Sequence, residues 1–384
     1  MSPRDVVDFI RSVYGTNKSV GLHEPSFAEL DHRNVAEALT STFVSSVGPF
    51  VDQFERDFQK MIGCSRAVAT VNGTAALHTA LHLVGVRPGD MVITQALNFV
   101  AGCNVIHQLH ATPAFVDVSE KTLGMCPDAL SCFLHSHAIK TDRDPVFEAT
   151  NQRIKAVIPM HTFGHPVDME SIKKICDEWR IPIVEDAAES LGSTLGGTHT
   201  GTFGRFGAFS FNGNKVITTG GGGMLVCNDV IDGVKAKHVT TTAKIEHPYE
   251  FIHDEPGFNY RLPNLNAALG CSQLAALQPK IKLKRQLARI YRDFFEDGPY
   301  QFVDEPEGAR SNFWLNAVIC EDFSERELLI SMCHKERILV RPIWTLMNKL
   351  PMFGNAPRGS LTVSEWLADR VVNLPSSPVC LKMD

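Results

Sequence analysis

Lys215 stands in a stretch of small residues that suits a lysine acting as a covalent nucleophile. The run from Gly207 to Asn214 precedes it, and four consecutive glycines follow at 220–223. A lysine that bonds an aldehyde cofactor needs a flexible stem, a partly buried amine and close backbone neighbours. The alternative is a nucleotide-binding loop, but there the glycines come before Gly-Lys-Ser/Thr, not after the lysine. The order therefore favours covalent chemistry at Lys215, with Ser210 available to bind a phosphate.

Asp186 follows an apolar run in the sequence Ile-Val-Glu-Asp-Ala-Ala-Glu at 183–189. A carboxylate at the end of a buried strand is costly unless it is paired. The protonated pyridine nitrogen of pyridoxal 5′-phosphate (PLP) is such a partner, and Asp186 would keep that ring electron-withdrawing. A surface carboxylate or a metal ligand is the alternative, although Mg²⁺ would want further oxygen ligands at fixed spacing.

Two further segments each open a predicted helix after a predicted strand. In Asn72-Gly73-Thr74, the glycine allows close backbone approach to an anion, and the first helical turn supplies free N–H groups. Phe99 can stack on the face of a pyridine ring. A capped glycine turn and a core phenylalanine remain open as alternatives. Because ligands gather at the carboxyl ends of strands in α/β sheets, all four segments fit one PLP site.

The elements that must position these residues follow from the spacing of apolar residues. Short apolar runs at 67–71, 91–94, 112–118, 154–159 and 181–185 alternate with helical stretches at 73–85, 99–109 and 168–179. This alternation is typical of a buried, mostly parallel sheet covered on both faces.

Helical patterns precede and follow this region. Three helices are predicted at 3–14, 29–42 and 50–61. A smaller α+β region follows, with a helix at 263–297 broken near Pro279, strands at 313–320 and 337–341, and a helix at 324–336. We predict an N-terminal helical segment (1–62), a large PLP-binding α/β domain (63–240) and a small C-terminal domain (241–384).

Composition excludes several classes of protein. The net charge of −6 gives no sign of a surface that binds nucleic acid. A composition of 44% apolar and 21% charged residues is typical of a globular chain. No apolar run approaches ~20 residues, so we expect no membrane span, and the ten cysteines form no C-x-x-C pair. These features predict a reducing, cytoplasmic location. His78 and His82 have the spacing of a zinc pair but lack an H-E-x-x-H motif, and we predict no metal.

Several motifs resemble the DegT/DnrJ/EryC1/StrS family of nucleotide-sugar aminotransferases. They are S-F-N-G-N-K (210–215), V-E-D-A-A-E-S-L-G (184–192) and N-G-T-A-A-L (72–77). Other stretches, including L-H-E-P-S-F (22–27) and R-P-I-W-T-L-M-N-K-L-P-M-F (341–353), resemble the subgroup that makes UDP-4-amino-4,6-dideoxy-N-acetylhexosamines for bacillosamine or legionaminic acid-type glycans. The segment S-N-F-W-L-N (311–316) is also similar to perosamine synthases.

The resemblance implies an aspartate aminotransferase-like, type I PLP fold, in which a mostly parallel seven-stranded sheet forms the large domain. It implies a homodimer with active sites at the subunit interface. Lys215 would bond PLP, Asp186 would pair with the pyridine nitrogen, and Glu189 would lie near the ring hydroxyl, where many relatives have His or Gln. The remaining expected contacts are Phe99 on the ring; Gly73, Thr74 and Ser210 on the phosphate; Asn259 and Arg261 from the partner subunit, on the phosphate or the substrate; and His161 and Arg341 on the substrate.

The activity that the resemblance implies is amino transfer from L-glutamate to a nucleotide-linked 4-keto-6-deoxyhexose, with UDP-2-acetamido-4-keto-2,6-dideoxyhexose favoured, in bacterial glycan biosynthesis. Alternatives are a GDP-perosamine-type or 3-keto-sugar aminotransferase, a PLP-dependent sugar dehydratase, and a PLP-binding regulator without activity. Some dehydratases of the family replace the lysine with His, and Lys215 argues against that branch.

Overall fold

Three helices precede the main sheet in the computed structural model, which describes residues 1–378. They are α1 (Pro3–Tyr14), α2 (Glu29–Thr40) and α3 (Pro49–Ile62), close to the predicted bounds. The face of α3 that carries Phe54 and Phe58 packs edge-on against the rings of Phe211 and Phe209, at 5.2 Å between centroids in each pair. This helix therefore supports the segment that leads to Lys215.

The main sheet has the seven strands that the resemblance implies. They are β1 (Arg66–Thr70), β2 (Met91–Gln95), β3 (Thr112–Val116), β4 (Gln152–Ile158), β5 (Val184–Asp186), β6 (Phe206–Ser210) and β7 (Gly223–Cys227). Their order is β1-β7-β6-β5-β4-β2-β3, with β4 and β5 joined through the bridges Val157–Ile183 and Met160–Asp186. Only β7 runs antiparallel to its neighbours, so the sheet is mostly parallel, as expected.

Helices cover both faces of this sheet, so alternate strand residues enter different cores. Val68 of β1 packs in the core beneath the helix that follows it, whereas Ala67 and Ala69 face the side of α3. The covering helices are α4 (Gly73–Leu83), α5 (Val100–Gln108), α6 (Pro127–His137), α7 (Met169–Trp179) and α8 (Val230–Thr240).

The sequence interpretation missed β6 and β7, because glycines weaken the signal of a strand. In β7, close packing explains the residue type. A Cβ added to Gly223 would lie 2.4 Å from the backbone carbonyl carbon of Asn72. A larger residue would push β7 away from the start of α4, which contributes to the site.

The C-terminal region forms a smaller α+β unit. Its elements are α9 (Asn264–Ala275), α10 (Leu277–Phe295), β8 (Gln301–Phe302), β9 (Asn316–Ile319), α11 (Phe323–Lys335), β10 (Arg341–Pro342), α12 (Thr362–Ala368) and β11 (Val371–Leu374). The strands form an antiparallel sheet in the order β8-β9-β11-β10. Its core includes Val6, Val7 and Ile10 of α1, so α1 packs here, away from α3.

Two predicted elements of this region differ in detail from the structure. The predicted helix break near Pro279 is present and lies at Ala276, because α9 ends at Ala275 and Pro279 occupies the first turn of α10, where helical N–H groups have no intrahelical acceptor. The strand predicted at 337–341 shrinks to β10. Ile338 bridges to Val20 of the N-terminal segment, which draws residues 338–340 away from the sheet.

Short two-residue strands form hairpins beside the larger sheets: Ala138–Ile139 with Val146–Phe147, Thr194–Leu195 with Thr198–His199, and Lys244–Ile245 with Ile252–His253. Nine cysteines are described, and each is a free thiol. Within residues 1–378, none of the helices combines the length and hydropathy needed to cross a bilayer.

Candidate active site

A cavity of about 530 Å³ opens where the carboxyl ends of β1, β5 and β6 meet the C-terminal unit. This is where the topology of the sheet brings the four segments together. Eight of the predicted site residues line the cavity: Gly73, Thr74, Phe99, Asp186, Glu189, Ser210, Lys215 and Arg341. Lys215 therefore shares one cavity with the acidic, glycine-rich and aromatic positions predicted beside it.

The Lys215 amine lies between an acidic and an aromatic group. Its Nζ is 3.3 Å from Oε1 of Glu189 and 3.8 Å from the centroid of the Trp314 ring. The side chain is 13% exposed. Its turn after β6 is closed by a hydrogen bond of 3.0 Å from the Lys215 N–H to the Asn212 carbonyl. The amine is thus held at the cavity wall, yet open to a ligand inside it.

Asp186 is a buried carboxylate with few partners. It ends β5, and its Oδ1 accepts a hydrogen bond of 3.1 Å from the Ala188 N–H. Burial raises the pKa of this carboxyl above its usual range, although Lys215 and the Ala188 N–H act against the shift. The Lys215 amine pairs with Glu189 instead, so a protonated pyridine nitrogen in the cavity would supply the cationic donor that Asp186 lacks.

Glu189 is the second buried acid of the cavity. Its Oε2 accepts a hydrogen bond of 2.9 Å from the Phe163 N–H, and its Oε1 faces Lys215. Burial raises the pKa of Glu189 to about 7, even with the Lys215 ammonium nearby. A side chain that changes its protonation near neutrality can either donate to or accept from a ring hydroxyl.

The opposite end of the cavity suits a phosphate. Asn72 caps α4 by accepting the Ala75 N–H at 2.7 Å, and Gly73 and Thr74, whose first-turn N–H groups have no intrahelical acceptor, line the cavity. A Cβ on Gly73 would come within 3.0 Å of the Ser210 Cβ and 3.2 Å of the Phe209 carbonyl. Glycine thus allows α4 to approach Ser210, whose hydroxyl adds a further donor.

Phe99 and Arg341 both line the cavity. Phe99 precedes α5 and is 49% exposed, which separates it from the core phenylalanines. Its ring lies 6.4 Å from the ring of Trp344. Arg341, in β10, brings a cation to the cavity from the C-terminal unit. An aromatic face and a free cation are suited to a flat ring and an anionic substrate.

The expectation for His161 is corrected by the structure. The ring is fully buried and does not line the cavity. Its Nδ1 accepts the Val167 N–H at 3.1 Å, so Nε2 carries the proton and donates to Glu185 at 3.0 Å. Both ring nitrogens are thus occupied, and His161 holds the back of β5 instead of facing a ligand.

Asn259 and Arg261 form an exposed pair outside the cavity of their own chain. The Arg261 Nε donates to Oδ1 of Asn259 at 3.1 Å. Arg261 lines a separate cleft of about 170 Å³ with Gly48 and Asp52. Within one chain the pair therefore makes a local hydrogen bond in its own loop and does not reach the cavity.

Two tryptophans complete the cavity, and the sequence interpretation assigned neither a role. Trp314 and Trp344 both line it, and Trp314 contacts the Lys215 amine. They fall within the quoted stretches 311–316 and 341–353, so a signal was present in the resemblance. No local pattern distinguished them from core residues, because a lone tryptophan is most often buried packing.

Histidines elsewhere have structural contacts. The rings of His78 and His82 pack edge-on against Phe258, at 4.9 and 5.2 Å. Among residues 1–378, His238, Asp254 and Glu255 bring ligand atoms within 4.8 Å of one another. The Lys235 ammonium is bonded to Glu255 there, so this carboxylate is already paired with a cation.

Comparison with known proteins gives a consistent picture. The profile of the DegT/DnrJ/EryC1/StrS aminotransferase family matches residues 25–382. The chain is 36% identical to the putative PLP-dependent aminotransferase EpsN of Bacillus subtilis, over 94% of this chain and 91% of that protein. It is 32% identical to the GDP-perosamine synthase of Vibrio cholerae, over 94% of each chain. A DegT/DnrJ/EryC1/StrS aminotransferase from Brucella abortus superimposes with a TM-score of 0.84 at 26% identity, covering 92% of each chain.

Proposed function

The chain belongs to the DegT/DnrJ/EryC1/StrS aminotransferase family, whose members have the type I fold and depend on PLP, and on this premise we propose its reaction. It transfers the amino group of L-glutamate to the 4-keto group of a nucleotide-linked 6-deoxyhexose. The observation that carries the proposal is the position of Lys215. Its amine shares one cavity with Asp186 and with the N-terminus of α4, which begins at Gly73. A sugar aminotransferase needs these three elements in one site.

The residues that would hold PLP are those at the sheet edge. Asp186 would pair with the pyridine N–H, and Glu189 would contact the ring hydroxyl. The N–H groups of Gly73 and Thr74 would bind the phosphate together with the Ser210 hydroxyl. Phe99 would cover one face of the ring. When bound, the cofactor supplies an electron-withdrawing ring that stabilises negative charge on the carbon losing its proton.

Lys215 has two tasks in this proposal. Its Nζ would hold the cofactor, and as a free amine it would take the Cα proton of the donor and return a proton during amino transfer. Asp186 keeps the pyridine nitrogen protonated during this exchange. Because the Lys215 side chain is largely buried, the same nitrogen can serve both halves of the reaction while bulk water is kept away.

The sugar nucleotide remains a choice between two candidates. The subgroup motifs favour UDP-2-acetamido-4-keto-2,6-dideoxyhexose, the precursor of bacillosamine- and legionaminic acid-type sugars. Relatives named GDP-perosamine synthase, at 31–32% identity over at least 89% of the chain, favour a GDP-linked 4-keto sugar. Arg341 and Trp344 would bind the substrate in either case, because they border the cavity beyond Lys215.

The proposal includes a homodimer with shared sites in the cytoplasm. The Asn259–Arg261 pair is exposed in one chain and would complete the site of the other. Beside it, the hairpin at 244–253 exposes Tyr249 by 80% and Phe251 by 79%. Large exposed aromatics of this kind are typical of contact surfaces. The free thiols suit a reducing compartment.

A panel of UDP-, GDP- and dTDP-linked 4-keto-6-deoxy sugars, each incubated with PLP enzyme and glutamate, tests the proposal. We expect one nucleotide class to be aminated, with 2-oxoglutarate formed in equal amount, and Lys215→Ala to form neither product. A 3-keto-sugar product or a deoxygenated sugar would assign the chain to another reaction of the family. An enzyme that binds PLP but consumes no glutamate with any sugar would favour the regulatory alternative.

A further inference from the structure

The Lys215 amine has a second contact that the proposed reaction does not use. The centroid of the Trp314 ring lies 3.8 Å from Nζ, on the C-terminal side of the cavity, while Glu189 lies 3.3 Å away. Trp314 is only 5% exposed. An ammonium over the face of a tryptophan is held by the ring quadrupole, and the attraction grows when water is excluded.

Three hydrogen bonds hold Trp314 in this position, one from its ring and two from its backbone. Its Nε1–H donates to the Asn214 carbonyl at 2.6 Å, directly beside Lys215. Its backbone N–H donates to Oδ1 of Asn312 at 2.8 Å, and its carbonyl accepts from the buried Lys284 amine at 3.0 Å. The indole is therefore in place before any ligand binds.

The two neighbours of the amine are also linked to each other. Asn312 accepts the Trp314 N–H and donates from its Nδ2 to the Glu189 carbonyl at 2.9 Å. One buried amide thus links the backbones of the two residues whose side chains flank Lys215. This link helps to fix the positions of the carboxylate and the ring relative to each other.

We propose that Trp314 and Glu189 form the resting place of the Lys215 amine whenever it is not bonded to PLP. The inference rests on the proposed function, in which the lysine is free during half of each cycle. Glutamate's nitrogen replaces the lysine nitrogen on the cofactor carbon, and the lysine leaves as a free amine. One water then supplies the carbonyl oxygen of 2-oxoglutarate, and the cofactor becomes pyridoxamine 5′-phosphate. Trp314 therefore stabilises the pyridoxamine form of the enzyme relative to the lysine-bonded form.

Removing the Trp314 ring should shift the equilibrium from the pyridoxamine form toward the lysine-bonded form. In Trp314→Leu, the free lysine loses its aromatic contact, whereas the bonded lysine loses nothing of that kind. The affinity of the cofactor-free protein for PLP relative to pyridoxamine 5′-phosphate should then rise roughly 2- to 30-fold, the range expected for a cation–π contact. Trp314→Phe keeps a weaker ring face and should give a smaller rise.

The matched control is Trp366→Leu. Arg370 lies 5.1 Å from the Trp366 ring, so this pair is a cation–π contact in the same chain. Trp366 does not line the cavity. This variant should leave the affinity ratio unchanged, which separates the loss of the Lys215 contact from a general effect of replacing tryptophan.

The experiment measures the dissociation constants of PLP and of pyridoxamine 5′-phosphate for the cofactor-free wild type and the three variants. The inference is supported if the affinity for PLP relative to pyridoxamine 5′-phosphate rises in both position-314 variants, and rises more in Trp314→Leu than in Trp314→Phe. A change below twofold in Trp314→Leu, or a fall, overturns it. If Trp314→Leu does not fold, Trp314→Phe decides instead: a measurable rise in the ratio supports the inference, and an unchanged or lower ratio overturns it.

Two further readouts keep this inference separate from the proposed reaction. A crystal structure of the pyridoxamine 5′-phosphate complex should show Lys215 Nζ over Trp314 near the observed 3.8 Å, and an amine pointing elsewhere contradicts the inference. If glutamate fails to convert the wild-type cofactor, the proposed amino donor is wrong. The ratio measured without any donor still decides the role of Trp314.

Discussion

Glu185 and Asp186 are adjacent on β5, and their carboxylates have opposite surroundings. Glu185 accepts hydrogen bonds from the N–H groups of Gly201, Phe203 and Gly204 at 2.6–2.7 Å, and from His161. Asp186, one residue later, lines the cavity, and within residues 1–378 its carboxylate accepts one hydrogen bond, from the Ala188 N–H. Because successive residues of a strand point to opposite faces, one carboxylate is built into the protein and the next is available to a ligand.

The difference separates a structural from a functional buried acid. A buried charge is tolerated when donors surround it, as they surround Glu185. A buried acid with a raised pKa and a cavity in front of it is poised for a partner that the chain itself does not supply. Both residues are carboxylic acids at neighbouring positions of one strand, and their contacts show which one is available to a ligand.

The largest effect should come from Asp186→Asn. The variant should still attach PLP at Lys215. Its half-reaction should slow, because the transition state should lose about 2–5 kcal/mol of stabilisation when the charged partner of the pyridine nitrogen is removed. Stopped-flow absorbance with glutamate measures the half-reaction. The free energy of unfolding of the cofactor-free variant should not fall, since burial already disfavours the Asp186 charge. A half-reaction rate close to that of the wild type would remove Asp186 from the mechanism.

Glu185→Gln should show the opposite pattern. Its amide group would face N–H donors that now bind a carboxylate, so the free energy of unfolding should fall by about 1–3 kcal/mol. Denaturant unfolding of the cofactor-free protein measures the loss. The half-reaction of the folded variant should slow less than that of Asp186→Asn. If Glu185→Gln keeps its stability yet slows the half-reaction as much, the comparison between the two acids fails.

Glu189 should make stability depend on pH. Its folded-state pKa of about 7 lies above the ordinary value of 4.5, so between these pH values the folded chain binds more protons than the unfolded chain. Stability of the cofactor-free protein should therefore fall as pH rises from 4.5 to about 7, by on the order of 3 kcal/mol at most. Glu189→Gln should remove this component. Parallel pH profiles of the variant and the wild type would contradict the account.

The smallest effect should come from Phe99→Leu. Losing one stacked ring should weaken PLP binding roughly 2- to 12-fold, as expected for an aromatic contact of about 0.5–1.5 kcal/mol. Equilibrium titration of the cofactor-free protein with PLP measures the change. Phe323→Leu is a matched control, because that phenylalanine is also half-exposed but lies against Arg326, outside the cavity. Equal weakening in both variants would show that Phe99 does not stack on the ring.

The sequence predicted most of the main sheet and the central residues of the site, but not the residues that surround them. Strands β1 to β5 have continuous apolar runs, which is why their positions were predictable, whereas Gly207 and Gly223 concealed β6 and β7. Asp186 was identifiable because a carboxylate stood at the end of an apolar run, and Lys215 because small residues preceded it and four glycines followed it. His161 and Trp314 were not, since their roles depend on contacts with Glu185 and Lys215 that join distant segments of the chain.

The most direct test of the central claim is the covalent attachment of PLP to Lys215. The purified PLP enzyme is reduced with borohydride, digested, and mapped by mass spectrometry. Lys284 serves as an internal comparison, because its amine is buried and donates hydrogen bonds to two backbone carbonyls. We predict a single pyridoxyl adduct, on the peptide that contains Lys215, and its loss after prior incubation with glutamate. An adduct on another lysine, or none at all, would contradict the account.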